Sequence, residues 1–264
     1  MARRLFIASP SNARLKAVRR LGRARSQELI LVEGGRAIRA AVAGRVPIRE
    51  LYVAPELFLG SDDGPLIDEA ERCGARVVEV GAETFRTLSP HRRPDGLLAL
   101  AERPATTLAR LALPASPLVV VTAGIERPGN LGTIVRTACA AGADALVVAD
   151  RCTDVFHPEV VRGSVGTVFR VPLAVTTTAR AIAWLREREI GIVATTPAGS
   201  TPHRAAGYTG SVAVVLGGER YGLSAAWLDA AVERVAIPTR GPADSLNVAV
   251  AAGVFLFEAA SRRG

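Results

Sequence analysis

Cysteine is scarce in this chain of 264 residues: Cys73, Cys139 and Cys152 are odd in number, scattered, and never in CxxC spacing. That excludes a disulfide framework and a thiolate zinc site, and it points to a reducing, cytoplasmic compartment. No cluster of metal-ligating side chains is visible, so no metal is expected. Apolar runs are short, and none approaches the ~20 residues of a membrane-spanning helix. Aromatic residues make up only 5% of the chain, which leaves the core to Val, Leu and Ala, a composition suited to close helix-on-sheet packing. Lysine is nearly missing, because Lys16 is the sole lysine among 33 Lys and Arg residues. The formal charge of +8 is therefore carried by arginine, and such a balance favours a polyanion gripped through its phosphates. Two nucleotide signatures are absent as well. Without a G-x-G-x-x-G fingerprint or a Walker lysine, an oxidoreductase on a Rossmann sheet is excluded.

What is present is alternation. Short Val/Leu/Ile runs take turns with helical stretches along the whole chain, the pattern of an α/β protein. Residues 1–105 read as a small α/β domain. Residues 106–116, rich in small residues with Pro114, read as a linker, and residues 117–264 as a second domain with strands buried on both faces of a parallel sheet. The first 25 residues hold eight basic side chains and no acidic one. No small-residue cleavage pattern follows them. They are read as part of the mature protein, with a helix over Asn12 to Arg25 serving as an electrostatic handle.

Three later stretches concentrate candidate chemistry. The first, Glu126-Arg-Pro-Gly-Asn130-Leu-Gly-Thr-Ile-Val-Arg136, follows the first strand of the second domain, where open α/β sheets bind ligands. Asn130 is a reasonable N-cap there. Arg136, deep in an otherwise apolar helix, calls for a functional role or an ion pair with Glu219. The second is Leu216-Gly-Gly-Glu219-Arg-Tyr-Gly222, whose glycines admit close approach to the backbone. The third runs from Ile237-Pro238-Thr239 to Glu258. It predicts a helix from Ser245, capped by Asp244 or Ser245 and buried all round, in a core or against a partner subunit, with Ser245 and Asn247 at its mouth.

In order and content these stretches resemble the three motifs of the SpoU-type RNA ribose 2′-O-methyltransferases of the SPOUT superfamily. Ile7-Ala-Ser-Pro-Ser-Asn12 through Lys16 and Leu31-Val-Glu33-Gly are similar to the N-terminal RNA-recognition domain that many members carry, so the resemblance spans nearly the whole chain. Two departures stand out: Thr239-Arg240 where the family commonly has Met after Ile-Pro, and Gly218 where Ser or Asn is common.

The resemblance implies a parallel α/β sheet whose C-terminal segment threads a deep trefoil knot. It implies S-adenosylmethionine held by Thr195, Thr196, Leu216, Gly217, Gly218, Ile237, Pro238, Thr239, Ser245 and Leu246. The reaction would be methyl transfer to a ribose 2′-hydroxyl of RNA, ribosomal more than transfer RNA, by a homodimer without membrane attachment. Arg136 is expected to hold the adjacent phosphate and stabilise developing oxyanion charge, with Glu219 orienting it and Asn130, Ser245 and Asn247 placing the hydroxyl. Arg14, Lys16, Arg19, Arg20, Arg36, Arg92, Arg93 and Arg162 are the expected RNA contacts. The alternative is a catalytically idle RNA-binding or ribosome-assembly protein that keeps the fold.

Overall fold

The computed structural model describes residues 4–23, 26–89 and 91–263. Part of the basic N-terminal stretch (1–3 and 24–25) and Pro90 of the polar loop before Gly96 lie outside them. The chain divides into two units, Met1–Pro104 and Ala105–Gly264.

The first unit alternates as its sequence suggests: β1 (Leu5–Ile7), α1 (Ala13–Arg23), β2 (Leu29–Glu33), α2 (Gly35–Ala43), β3 (Ile48–Val53), α3 (Asp63–Arg72), β4 (Arg76–Val80), α4 (Ala82–Arg86) and β5 (Leu97–Glu102). Its sheet has the order β1-β4-β3-β5-β2, parallel across β1, β4 and β3 and antiparallel where β5 meets β3 and β2. The basic helix α1 starts where the Asn12 carboxamide oxygen accepts from the Arg14 amide at 2.9 Å. Leu15 and Val18 bury one face of α1 against Tyr52 and Val78, while Lys16 and Arg20 stay exposed. The helix is therefore amphipathic, with its charge on the outside.

The second unit comprises β6 (Leu118–Ala123), α5 (Pro128–Ala140), β7 (Ala145–Ala149), α6 (Pro158–Gly163), β8 (Leu173–Thr176), α7 (Thr178–Glu187), β9 (Gly191–Thr195), β10 (Thr201–Pro202), β11 (Val212–Gly217), α8 (Ala225–Ala230), β12 (Glu233–Ala236) and α9 (Val248–Ser261). Seven strands form one sheet in the order β10-β12-β9-β11-β6-β7-β8, parallel at every pairing. Side chains alternate between faces, and here both faces are buried. Val119, Val121, Val147, Ala213 and Val215 pack with Trp184 of α7 and Trp227 of α8. Their neighbours Val120, Val148, Val193 and Val214 are equally buried on the other side, where α9 packs on β11 and on α5. The α5–α6 contact is glycine-close: a Cβ on Gly132 would stand 2.8 Å from the Val160 carbonyl oxygen.

Some expectations shift. Residues 106–116 are packed onto the second unit: Leu111 is buried among its core residues, Leu108 and Leu113 lie against them, and Val175 donates its N–H to the Thr106 carbonyl at 2.8 Å. The last helix begins at Val248, three residues later than expected, and Asn247 rather than Asp244 or Ser245 is its N-cap. Nor is it buried all round, since Val250 and Phe257 are 56% and 54% exposed in the single chain.

Trp227 is fully buried, and its indole N–H donates to the Thr178 hydroxyl at 2.9 Å. Trp227→Ala is expected to lower unfolding stability by about 3–5 kcal/mol, read from urea denaturation.

Candidate active site

The strand order reverses direction beside β6, which places a crevice at the C-terminal ends of β9, β11 and β12. Ligands in open α/β sheets bind at such points. A cavity of about 750 Å³ occupies it. Thr195 and Thr196 at the end of β9, Leu216 to Glu219 at the end of β11, and Ile237 and Thr239 after β12 line its walls. Asp244 to Val248 close it, with Ala251 and Phe255 of α9, and Asn130 comes in from α5. Of the expected ligand-holding residues only Pro238 is absent from the wall. Reading the sequence missed Arg127, Arg220, Tyr221, Leu223, Leu228 and Phe255, which also line it. Arg220 and Tyr221 sit inside the second motif stretch and were legible as neighbours of Glu219. Phe255 lay hidden in an all-apolar helix.

The β11 loop is bare backbone for a steric reason. A Cβ on Gly217 would stand 2.5 Å from the Gly222 carbonyl carbon, and one on Gly218 would stand 2.5 Å from the Gly124 carbonyl oxygen. This is the physical account of glycine at 218 in this chain.

From that loop Glu219 crosses to the start of α5. Its carboxylate accepts from the backbone N–H of Glu126 at 3.0 Å and of Arg127 at 3.2 Å, and from the Asn130 amide at 2.8 Å. Arg127 is the N-cap of α5, and its side chain supplies no cap bond. Glu219 thus caps a helix from about 90 residues away, satisfying amides that the helix leaves free and meeting the positive end of its dipole. Asn130 lies inside the first turn, not at the N-cap as expected.

The contacts continue. The Asn130 carboxamide oxygen accepts from the Asn247 amide at 3.2 Å, and the Asn247 oxygen caps α9 by accepting from Ala249 N–H at 2.9 Å. Each carboxamide therefore has its orientation dictated from outside. Asn247 must turn its oxygen to α9, so it offers N–H to Asn130, which in turn offers N–H to Glu219. One directional chain joins all three motif stretches.

Glu219 does not orient Arg136. The side chain of Arg136 is exposed, does not line the cavity, and makes no hydrogen bond or ion pair among the described residues. Ser245 lines the cavity from the exposed loop before α9. Burial pushes the Glu219 carboxyl upward, but the N–H groups of Glu126, Asn130 and Arg127 outweigh it and hold the group below its ordinary 4.5.

Of the expected RNA contacts, Lys16, Arg20, Arg36, Arg92 and Arg93 are exposed on the first unit, and Arg162 is exposed on the second. Arg14 and Arg19 are engaged within the first unit. Arg14 pairs with Glu50 at 3.5 Å, and Arg19 donates to the Pro10 carbonyl at 2.7 Å and to the Thr87 hydroxyl at 3.3 Å. Among the described residues there is no group of three or more His, Cys, Asp or Glu able to hold a metal, and no helix long and apolar enough to cross a membrane.

A glycine-bared strand-end cavity, closed by a carboxylate and two carboxamides from three separated motifs, defines a class. Residues 117–257 match the SpoU rRNA Methylase family and residues 12–99 the MRM3-like substrate binding domain. The chain belongs to the SpoU rRNA methylase family. It is 32% identical to the 23S rRNA (guanosine-2′-O-)-methyltransferase RlmB of Vibrio vulnificus, covering 81% of this chain and 90% of that one. It is 27% identical to the 23S rRNA (guanosine(2553)-2′-O)-methyltransferase RlmP of Bacillus subtilis, over 86% of each. The crystal structure of an AdoMet-bound rRNA methyltransferase from Sinorhizobium meliloti superposes with a TM-score of 0.88 at 30% identity, over 97% of both chains.

Because its folded pKa is lowered, Glu219 contributes stability that is full above 4.5 and is lost as pH falls through the folded value. Thermal midpoints measured from about pH 3 to 6 should fall more steeply for the wild type than for Glu219→Gln. Asn130→Asp sets a second carboxylate against Glu219 and is expected to lower the midpoint at neutral pH while leaving the secondary-structure circular dichroism unchanged.

Proposed function

We propose that this chain methylates a ribose 2′-hydroxyl of ribosomal RNA with S-adenosylmethionine as donor. The observation that carries it is the cavity itself, with motif residues from three separated stretches joined across its rim. Its size suits a ligand of this class, which takes pockets of roughly 300–1,000 Å³. Thr195, Thr196 and Ser245 offer polar groups for recognition, while Leu216, Ile237, Leu246 and Phe255 offer an apolar wall for a purine ring. The chemistry that S-adenosylmethionine brings is an electrophilic methyl group on a sulfonium, with a neutral thioether as leaving group, so no protein acid is required.

The protein must then manage the hydroxyl, a poor nucleophile until its proton is drawn away. Arg136 holds the phosphate next to the target ribose and stabilises negative charge on the 2′-oxygen. A guanidinium with a pKa above ~12 is a charge stabiliser, not a literal base. Asn130 and Asn247, already locked by their mutual hydrogen bond, keep the rim rigid, and Ser245 donates toward the ribose. The exposed arginines of the first unit hold the surrounding RNA.

The active species is a homodimer. Val250 and Phe257 leave an apolar face of α9 exposed, and α9 packs on α5, the helix that carries Arg136. A second copy covers that face and gives Arg136 surroundings that the single chain lacks. The segment from β11 through α9 threads the family's trefoil knot: the loops at 216–223 and 237–248 line one cavity, and α9 returns against β11. The compartment is cytoplasmic, where ribosomal RNA is processed.

Two measurements test this reading. Calorimetric titration with S-adenosylmethionine should give saturable binding, weakened in Asn247→Ala. Transfer of labelled methyl to ribosomal RNA should fall by roughly 100-fold or more in Arg136→Ala at saturating RNA, the usual scale for losing one charge stabiliser. Turnover within a few-fold of wild type would remove Arg136 from the chemistry.

A further inference from the structure

The tip of the loop after β11 carries two side chains that the fold does not require. Tyr221 is 79% exposed, whereas Tyr52 and Tyr208, the other two tyrosines, are 0% and 1% exposed. In a chain with 5% aromatics, a phenol ring in solvent at a cavity rim is conspicuous, because it contributes nothing to the core. The Arg220 guanidinium lies 5.1 Å from the centroid of that ring, and both residues line the cavity.

The loop that carries them is held at both ends. Gly218 and Gly222 form an antiparallel bridge, with Gly222 N–H donating to the Gly218 carbonyl at 3.0 Å. Between them Glu219 is anchored to the first turn of α5 by the three hydrogen bonds described above. Arg220 and Tyr221 therefore occupy the tip of a closed three-residue loop whose first member cannot move. A rigid, solvent-facing aromatic paired with a cation offers a flat face for stacking and a positive charge for the adjoining phosphate. Aromatic stacking is how proteins hold unpaired bases, and arginine adds a cation–π share.

We infer that Tyr221 and Arg220 form a stacking platform that receives an unpaired nucleobase of the RNA at or beside the methylated ribose, making them RNA-positioning residues of this site. The inference rests on the RNA-methylating reading and names a subsite within it. Tyr221 takes the base on its ring and makes no use of its hydroxyl, so the ring and not the phenol is what matters. Arg220 fixes the ring and meets the phosphate on one side of that base. Both side chains stay outside the chemistry, so their loss acts on RNA engagement and not on the reaction of bound RNA.

The test uses the full chain and a ribosomal RNA transcript. Tyr221→Leu should raise KM for RNA by ~10-fold, the scale of one lost stack, with kcat changed less than ~3-fold, whereas Tyr221→Phe should restore the wild-type KM. A second readout avoids catalysis. The native tryptophans Trp184 and Trp227 are 6% and 0% exposed, so Tyr221→Trp adds a reporter that differs from them in lying in solvent, and its emission should be quenched when the transcript binds. If the transcript is retained on a filter by Tyr221→Trp while emission is unchanged, or if Tyr221→Leu leaves KM unaltered, the platform is wrong although the methylating reading stands. If wild-type protein retains no RNA at all, the reading beneath falls and the platform with it.

Discussion

The arrangement of this protein depends on one chain of hydrogen bonds, from Glu219 through Asn130 to Asn247 and into the first turn of α9. Each bond alone is ordinary in length. Their joint effect comes from direction, because each carboxamide's orientation is set by the groups on either side of it. The carboxylate closes the N-terminus of α5, the last carboxamide closes the N-terminus of α9, and Asn130 stands between two helix ends that would otherwise be open. Helices, loops and cavity wall are thereby tied to the same three side chains. In a chain with so few aromatics, polar direction does at the rim what bulk packing does below it.

The interior below the rim is unspecialised by comparison. Seven parallel strands buried on both faces supply rigidity, and small residues let the covering helices approach closely. The glycines at the end of β11 extend that closeness to the site. Without side chains there, the end of β11 packs backbone on backbone against Gly222 and Gly124. The polar lining of the cavity includes Thr195, Thr196, Asn130 and Glu219, and its apolar wall comes from Leu216, Ile237 and Phe255.

Much of this was legible in the sequence. The longer strands of both units were visible, since short apolar runs flanked by turn residues have few other readings. β1, β8 and β10 were not, being too short to display a period. The start of α9 was misplaced for a different reason. Asp244, Ser245 and Asn247 are all competent caps, and only a partner at Asn130, distant in the chain, decides among them. The same non-locality hid the partner of Glu219. A carboxylate next to an arginine-bearing motif suggests an ion pair, yet the free amides at a helix start compete well for it and leave no mark in composition. The tip residues Arg220 and Tyr221 were visible as letters, but their exposure was not.

The distance along the chain between the two ends of the hydrogen-bond chain has a consequence in time. A polypeptide is made from its N-terminus, and the helix bearing Arg136 is complete long before Asn247 exists. Until α9 has formed and docked, Asn130 lacks the neighbour that fixes its orientation and the cavity lacks a wall. The nascent protein can carry the whole of its first unit and most of its second sheet while its site is still open. Assembly of the site is therefore a late event in biogenesis, timed by the last helix described and not by the sheet that supports it.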